Sequence, residues 1–310
     1  MKRTILLAAV ALAGMGLVRA DSYYVTVAGL GGESEYETRF AAWAKDLDKV
    51  LKAEPGAKVE TLSGKDATKA NIEAKLKTIA GQAKADDQVV VMLIGHGTWD
   101  DRDYKFALPG PDISAAELGG MLDKIQARQL VVDMTTSSGG AIAFLQKPKR
   151  AVITATKAGT EKSSVVVFTR YWIEALNDPA ADTDKNDIIS ALEAFKYAEA
   201  KTSKFFETEN RLATEHALLE DTGKGDGVKD PKADNGEGLA AGRFGLIHLG
   251  TSATISKDPK KLELLKKKED IDGQLDELRY QKAAMDPREY RTKLQTLMVQ
   301  MAETQAELDK

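Results

Sequence analysis

The stretch 88–97, QVVVMLIGHG, constrains the fold of this chain more than any other. Its six apolar residues, Val89 to Ile94, run without alternation into Gly-His-Gly. Such a run reads as a strand buried on both faces, the kind found in parallel sheets covered by helices. Those sheets present ligands at the carboxyl ends of their strands. His96 stands at that end, between Gly95 and Gly97, which allow another group to approach the backbone closely. A second apolar run, Leu130-Val131-Val132-Asp133-Met134, ends in Thr135-Thr136-Ser137-Ser138-Gly139-Gly140. If the two strands are neighbours, a histidine faces a cluster of hydroxyls across one crevice.

The rest of the chain supplies strands and helices in alternation. Residues 23–30, 59–62, 151–156 and 244–249 read as further strands. Helices are predicted over 35–51, with Phe40, Trp43, Leu47 and Leu51 inward, and over 66–80, with Ile72, Leu76 and Ile79 on one stripe. Further helices are predicted over 113–125, 140–145 and 165–176. Gly81 is placed to end the second helix, Asp112 to cap the third, and 98–110 reads as a polar loop. The alternation predicts an α/β domain with a mainly parallel sheet covered by helices on both faces, joined by right-handed crossovers.

From 257 onward the pattern changes. Leu264, Ile271, Leu275 and Leu278 recur at heptad-like steps, Asp286-Pro287 marks a helix start, and Leu294, Leu297, Met301 and Leu308 follow. A C-terminal α-helical hairpin or coiled coil is predicted over 257–310. It reads as an arm folded on itself, with self-association through it left open.

Residues 1–20 read as a cleavable signal peptide: Lys2 and Arg3, an apolar stretch over 4–17, then Val18-Arg19-Ala20. That stretch of roughly 14 residues is short of the ~20 a membrane span needs. The domain would then occupy 21–256 and be exported, to a periplasm or the extracellular space, with no membrane span after cleavage. The chain has 44 basic and 48 acidic residues. Losing Lys2, Arg3 and Arg19 leaves a net charge of −7, which argues against a nucleic-acid partner. There is no cysteine, so disulfides and thiol chemistry are both excluded.

An apolar strand ending in His96-Gly97, then a helix and a second strand ending in Thr136-Ser137-Ser138-Gly139, resembles the legumain and caspase group of peptidases (clan CD), in particular bacterial legumain-like members. The resemblance implies a caspase/hemoglobinase-like sheet over roughly 23–250 and a peptide or protein ligand. It puts Thr136 at the position of the family's cysteine in C-x-S-G; aligning Asp133 with the family's acid selects Thr135 instead. Thiol catalysis rests on a thiolate that a threonine does not supply. Two readings follow. The domain is a pseudoenzyme that binds peptide or protein in the former cleft, lined by Gly95, Gly97 and Gly139. Alternatively, it is a hydrolase with Thr136 as nucleophile, or Thr135, Ser137 or Ser138, and His96 as general base.

A more local pattern lies at 182–193, DTDKNDIISALE. Asp182, Asp184, Asn186, the Ile188 carbonyl, Ser190 and Glu193 occupy the ligand positions of an EF-hand-like calcium loop, with Asp187 where glycine normally makes the sharp turn. Calcium is the one cofactor predicted. An acidic cap opening a helix at Ile188 is the competing reading. The Gly/Asp-rich segment 221–227 reads as a turn, Glu215 and His216 as structural, and His248 as a satisfied core residue.

Overall fold

The computed structural model describes residues 20–157, 161, 166–250 and 259–310. The expected leader up to Arg19, Val165 and the expected 256/257 boundary lie outside the described residues. The first half comprises β1 (Ser22–Ala28), α1 (Ser34–Lys52), β2 (Ala57–Leu62), α2 (Lys69–Gln82), β3 (Gln88–Gly95), β4 (Gly97–Trp99), β5 (Tyr104–Phe106), β6 (Ile113–Ser114) and α3 (Ala115–Leu122). Then come β7 (Arg128–Thr135), α4 (Ile142–Leu145), β8 (Arg150–Thr154), α5 (Val167–Ala175), β9 (Ile188–Ser190), α6 (Ala191–Thr208) and β10 (Leu218–Glu220). The last elements are α7 (Leu239–Gly242), β11 (Gly245–His248), α8 (Pro259–Gln281) and α9 (Pro287–Leu308).

Six strands form the main sheet in the order β10-β8-β7-β3-β1-β2. All of its pairings are parallel except that of the edge strand β10 with β8. β3 lies inside the sheet and is buried on both faces, as its unbroken apolar run requires. Val90, Met92 and Ile94 enter a core shared with Phe40, Leu47, Trp172 and Phe195 of α1, α5 and α6. Val89, Val91 and Leu93 enter the opposite core, with Ile72 and Leu76 of α2 and Leu118 of α3. The fold is thus α/β, a mainly parallel sheet with helices on both faces. No helix among the described residues is long and apolar enough to cross a membrane.

Several local expectations are revised. α2 runs through Gly81 to Gln82, because nothing at that glycine requires a left-handed turn; its N-terminus is capped by Thr68, whose hydroxyl accepts from the Asn71 amide. Asp112 does not cap α3. It accepts from the Leu108 amide, and Ser114 and Glu117 form a capping box instead. The stretch 98–110 contains β4 and β5, which with β6 make a small antiparallel sheet. β11 pairs with β9 rather than joining the main sheet.

The C-terminal helices lie side by side, with Leu264, Leu265 and Leu308 in a small apolar cluster between them. α8 also grips the body. Arg243 donates to the Gly273 carbonyl and pairs with Glu277, Tyr280 donates to the Glu237 carbonyl at 2.7 Å, and His248 faces Glu269.

Candidate functional site

β3 and β7 are adjacent and in register, with Gly95 opposite Thr135, so His96 and Thr136 leave the sheet side by side. Their side chains take separate courses. The His96 ring packs edge-on against Tyr36 and Phe40 of α1, with centroids 5.1 Å from each. Its Nε2 lies 3.2 Å from the Gly31 carbonyl. A carbonyl only accepts, so Nε2 carries the proton and Nδ1 is left as an acceptor in the neutral ring.

The hydroxyls at the tip of β7 are turned inward. The Gly97 amide donates to Thr136 Oγ1 at 2.9 Å, and that hydroxyl donates to the Gly97 carbonyl at 2.9 Å. The neighbouring ladder bond runs from the Ala107 amide to the His96 carbonyl, so the polar groups of Gly97 point away from β5 and toward Thr136. Only glycine fits there: a Cβ on Gly97 would lie 2.3 Å from the Thr136 carbonyl and 2.6 Å from the Tyr104 ring. The close approach expected at Gly97 is therefore made by the chain itself.

Thr135 belongs to a network under the tip. Its hydroxyl donates to Asp133 Oδ1 at 2.7 Å, and the Tyr104 hydroxyl sits against both. All three residues are buried. Burial pushes the Asp133 carboxyl up to about 6, although the hydrogen bonds from Thr135 and Tyr104 favour its charged form. The same burial, with Asp133 beside it, holds the Tyr104 hydroxyl well above its usual range. Tyr104 escaped the sequence reading because it lies in a segment dense with charge; the alternation in Tyr104-Lys105-Phe106 was the available signal.

Ser138 Oγ accepts from the Ala155 and Thr156 amides at 3.1 and 3.2 Å and meets the Thr156 hydroxyl, so it ties β7 to the end of β8. Ser137 differs from the other three. Its backbone is left-handed (φ 59°), and its Oγ is buried with no hydrogen-bond partner among the described residues. Beside this tip is a hollow of about 300 Å³, bounded by Trp99, Gly139, Gly140 and Ile142, with Lys157 and Asp226 also lining it.

The 182–193 loop brings three of its six expected ligands together. Carboxylate oxygens of Asp182, Asp184 and Glu193 lie within 4.8 Å of one another. Asp187 takes a left-handed conformation (φ 70°) at the place of the usual glycine, and the next residues, Ile188 to Ser190, form β9. Burial, then the charge of Glu193, pushes the Asp184 carboxyl up to about 6. Asn186 Oδ1 instead accepts from the Ile188 amide, and Ser190 and Glu193 form a capping box that opens α6. The helix opens at Ala191 rather than at Ile188, and Glu193 is divided between two tasks: Oε2 serves the cap while Oε1 accepts from Thr183 and Asp184 amides.

The remaining polar candidates have structural partners. The 221–227 loop wraps a carboxylate of its own chain: Glu220 Oε1 accepts from the amides of Thr222, Gly223, Lys224 and Gly225. Glu215 accepts from the Val167 and Phe168 amides at the start of α5, and His216 contacts Glu161. His248 Nδ1 lies 2.8 Å from Glu54 and its Nε2 3.4 Å from Glu269. Burial disfavours the imidazolium, but these two glutamates outweigh it and raise His248 to about 9.

No family model matches the chain, and no curated protein matches it. Among solved structures, the chain is similar to protein GSU0716 from Geobacter sulfurreducens, at 14% identity and TM-score 0.46, over 67% of this chain and 95% of that one. It is similar to the Drosophila initiator caspase Dronc, at 10% identity and TM-score 0.45, over 66% and 80%. A third likeness is to drICE, at 10% identity and TM-score 0.41, over 67% and 89%.

Proposed function

We propose that this chain is an exported, legumain/caspase-like domain that binds a peptide or protein segment at the carboxyl ends of β3 and β7 and does not cleave it. One observation carries the reading. The hydroxyl at the nucleophile's position, Thr136 Oγ1, both accepts from and donates to Gly97, so its proton is committed to a carbonyl rather than to His96. A hydroxyl nucleophile needs a general base in hydrogen-bond reach. His96 is held by Gly31, Tyr36 and Phe40 on the α1 side, and its hydrogen bond goes to Gly31.

The test is a peptide library assayed for binding and cleavage side by side. Binding without cleavage is expected, weakened when Ala143, which also lines the hollow, is enlarged to fill it in Ala143→Trp. Cleavage that disappears in both His96→Ala and Thr136→Ala overturns the reading. Ser137 favours one form of the hydrolase alternative, since it alone among the four hydroxyls has no partner among the described residues and sits on a left-handed turn. Cleavage lost in Ser137→Ala would assign that form.

Calcium at the 182–193 loop belongs to the same proposal. The donor set fits a hard cation: three converging carboxylates whose mutual repulsion a divalent ion would relieve. Asp182, Asp184 and Glu193 would hold it, linking the loop to the first turn of α6.

A further inference from the structure

α9 is covered along one side. Toward α8, Leu294, Leu297 and Met301 are half-buried, and Thr304 and Leu308 are buried. Turned away are Met298 and Val299, 53% and 50% exposed, flanked by exposed Gln295 and Ala302. These two stand at the midpoint of the helix Pro287–Leu308. The other large apolar side chains exposed to this degree among the described residues, Leu30 and Leu212, are far apart in the chain and isolated.

The charges of α9 change sign about the same midpoint. Arg288, Arg291 and Lys293 outnumber Glu289 in the first half, whereas Glu303 and Glu307, followed by Asp309, lie in and beyond the second. Lys293 pairs with Glu289 on its own helix at 2.8 Å. Arg288, Glu303 and Glu307 have no ion-pair partner among the described residues.

We propose that this outer face of α9 pairs with the same face of a second copy of the chain, antiparallel, about a two-fold axis passing between Met298 and Val299. A two-fold contact is self-complementary, so each residue beyond the midpoint meets its counterpart before it. Met298 then lies on Val299 of the copy and Gln295 on Ala302. Arg291 meets Ala306, between Glu303 and Asp309, and Arg288 meets Asp309. Ala302 and Ala306 leave room for the two helices to approach closely. A parallel pair would set arginine on arginine and glutamate on glutamate; the antiparallel one matches opposite charges and opposes the helix dipoles.

The absence of cysteine makes the test direct. In the purified full-length chain, Met298→Cys is expected to form an interchain disulfide under mild oxidation, because only residues near the axis meet their own copies. Arg291→Cys and Ala306→Cys are each expected to remain unlinked alone and to cross-link when mixed. Light scattering is expected to show a concentration-dependent doubling of mass that falls with added salt. Met298→Glu with Val299→Glu should abolish that doubling while leaving the far-UV circular dichroism unchanged. A monomer at every concentration, equal self-linking of all three cysteine variants, or a dimer that survives the double glutamate change would each overturn the proposal.

Discussion

Thr136→Ala separates a structural hydroxyl from a catalytic one through stability alone. The side chain is 8% exposed, and its hydroxyl is bonded both to the Gly97 amide and to the Gly97 carbonyl at 2.9 Å. Removing it strands a donor and an acceptor together at the end of the central strand. Each buried, unpaired group costs about 1–3 kcal/mol. Relaxation and water entry reduce the sum, leaving an expected loss of about 2–4 kcal/mol. For a chain of this size that corresponds to a fall in Tm of roughly 3–7 °C. Thr136→Ser keeps the hydroxyl and should lose less than about 1 kcal/mol. Urea unfolding of the three proteins, followed by tryptophan fluorescence, reads the difference directly. A nucleophile held for catalysis commonly leaves stability unchanged or improved when it is removed. Thr136→Ala within about 0.5 kcal/mol of the parent would therefore refute the structural reading of this hydroxyl.

Three further outcomes are expected. His248 is raised to about 9, so the stabilisation from Glu54 and Glu269 is fully present below the unfolded value of about 6.5 and is lost as pH climbs through about 9. Its ceiling is about 3 kcal/mol, and unfolding free energies of parent and His248→Gln measured from pH 6 to 10 should converge at the alkaline end. Asp133 behaves in the opposite sense from a paired carboxylate: its folded value, about 6, exceeds the unfolded one, so ionising it costs stability as pH rises from about 4 to 6. Asp133→Asn should flatten that part of the pH profile, and an unchanged slope would show that the carboxyl stays charged throughout. Millimolar calcium should raise Tm, by about 2.7 kcal/mol of stability at a hundredfold excess over Kd. Asp184→Asn, which leaves the Ser190–Glu193 capping box intact, should abolish that rise in a thermal scan.

The apolar runs were sufficient to determine the architecture. Val89 to Ile94 could be satisfied only by burial on both faces, and the structure divides them between two cores. Leu130 to Met134 read the same way and became the neighbouring strand. Periodicity also located α1, α2 and α5, because one apolar stripe on a helix has to meet a sheet. Fine boundaries were less legible. Gly81 stayed inside α2, and the short strands β4 and β5 carried too few apolar residues to stand out from their charged surroundings.

What composition and spacing determined, then, was a covered parallel sheet with His96 and a hydroxyl cluster at one end of it. Where those side chains point was decided only in three dimensions. A strand places its last residue, but the rotamer answers to neighbours distant in sequence: His96 to Gly31, Tyr36 and Phe40, Thr136 to Gly97, and Thr135 to Tyr104 and Asp133. Each of those contacts spares a buried polar group from being left unpaired, a requirement with no periodicity and so no trace in local sequence. The same holds at Glu193, where the spacing fits a calcium ligand and a helix cap equally well. The tertiary fold makes it the cap and sets Asp182 and Asp184 beside it.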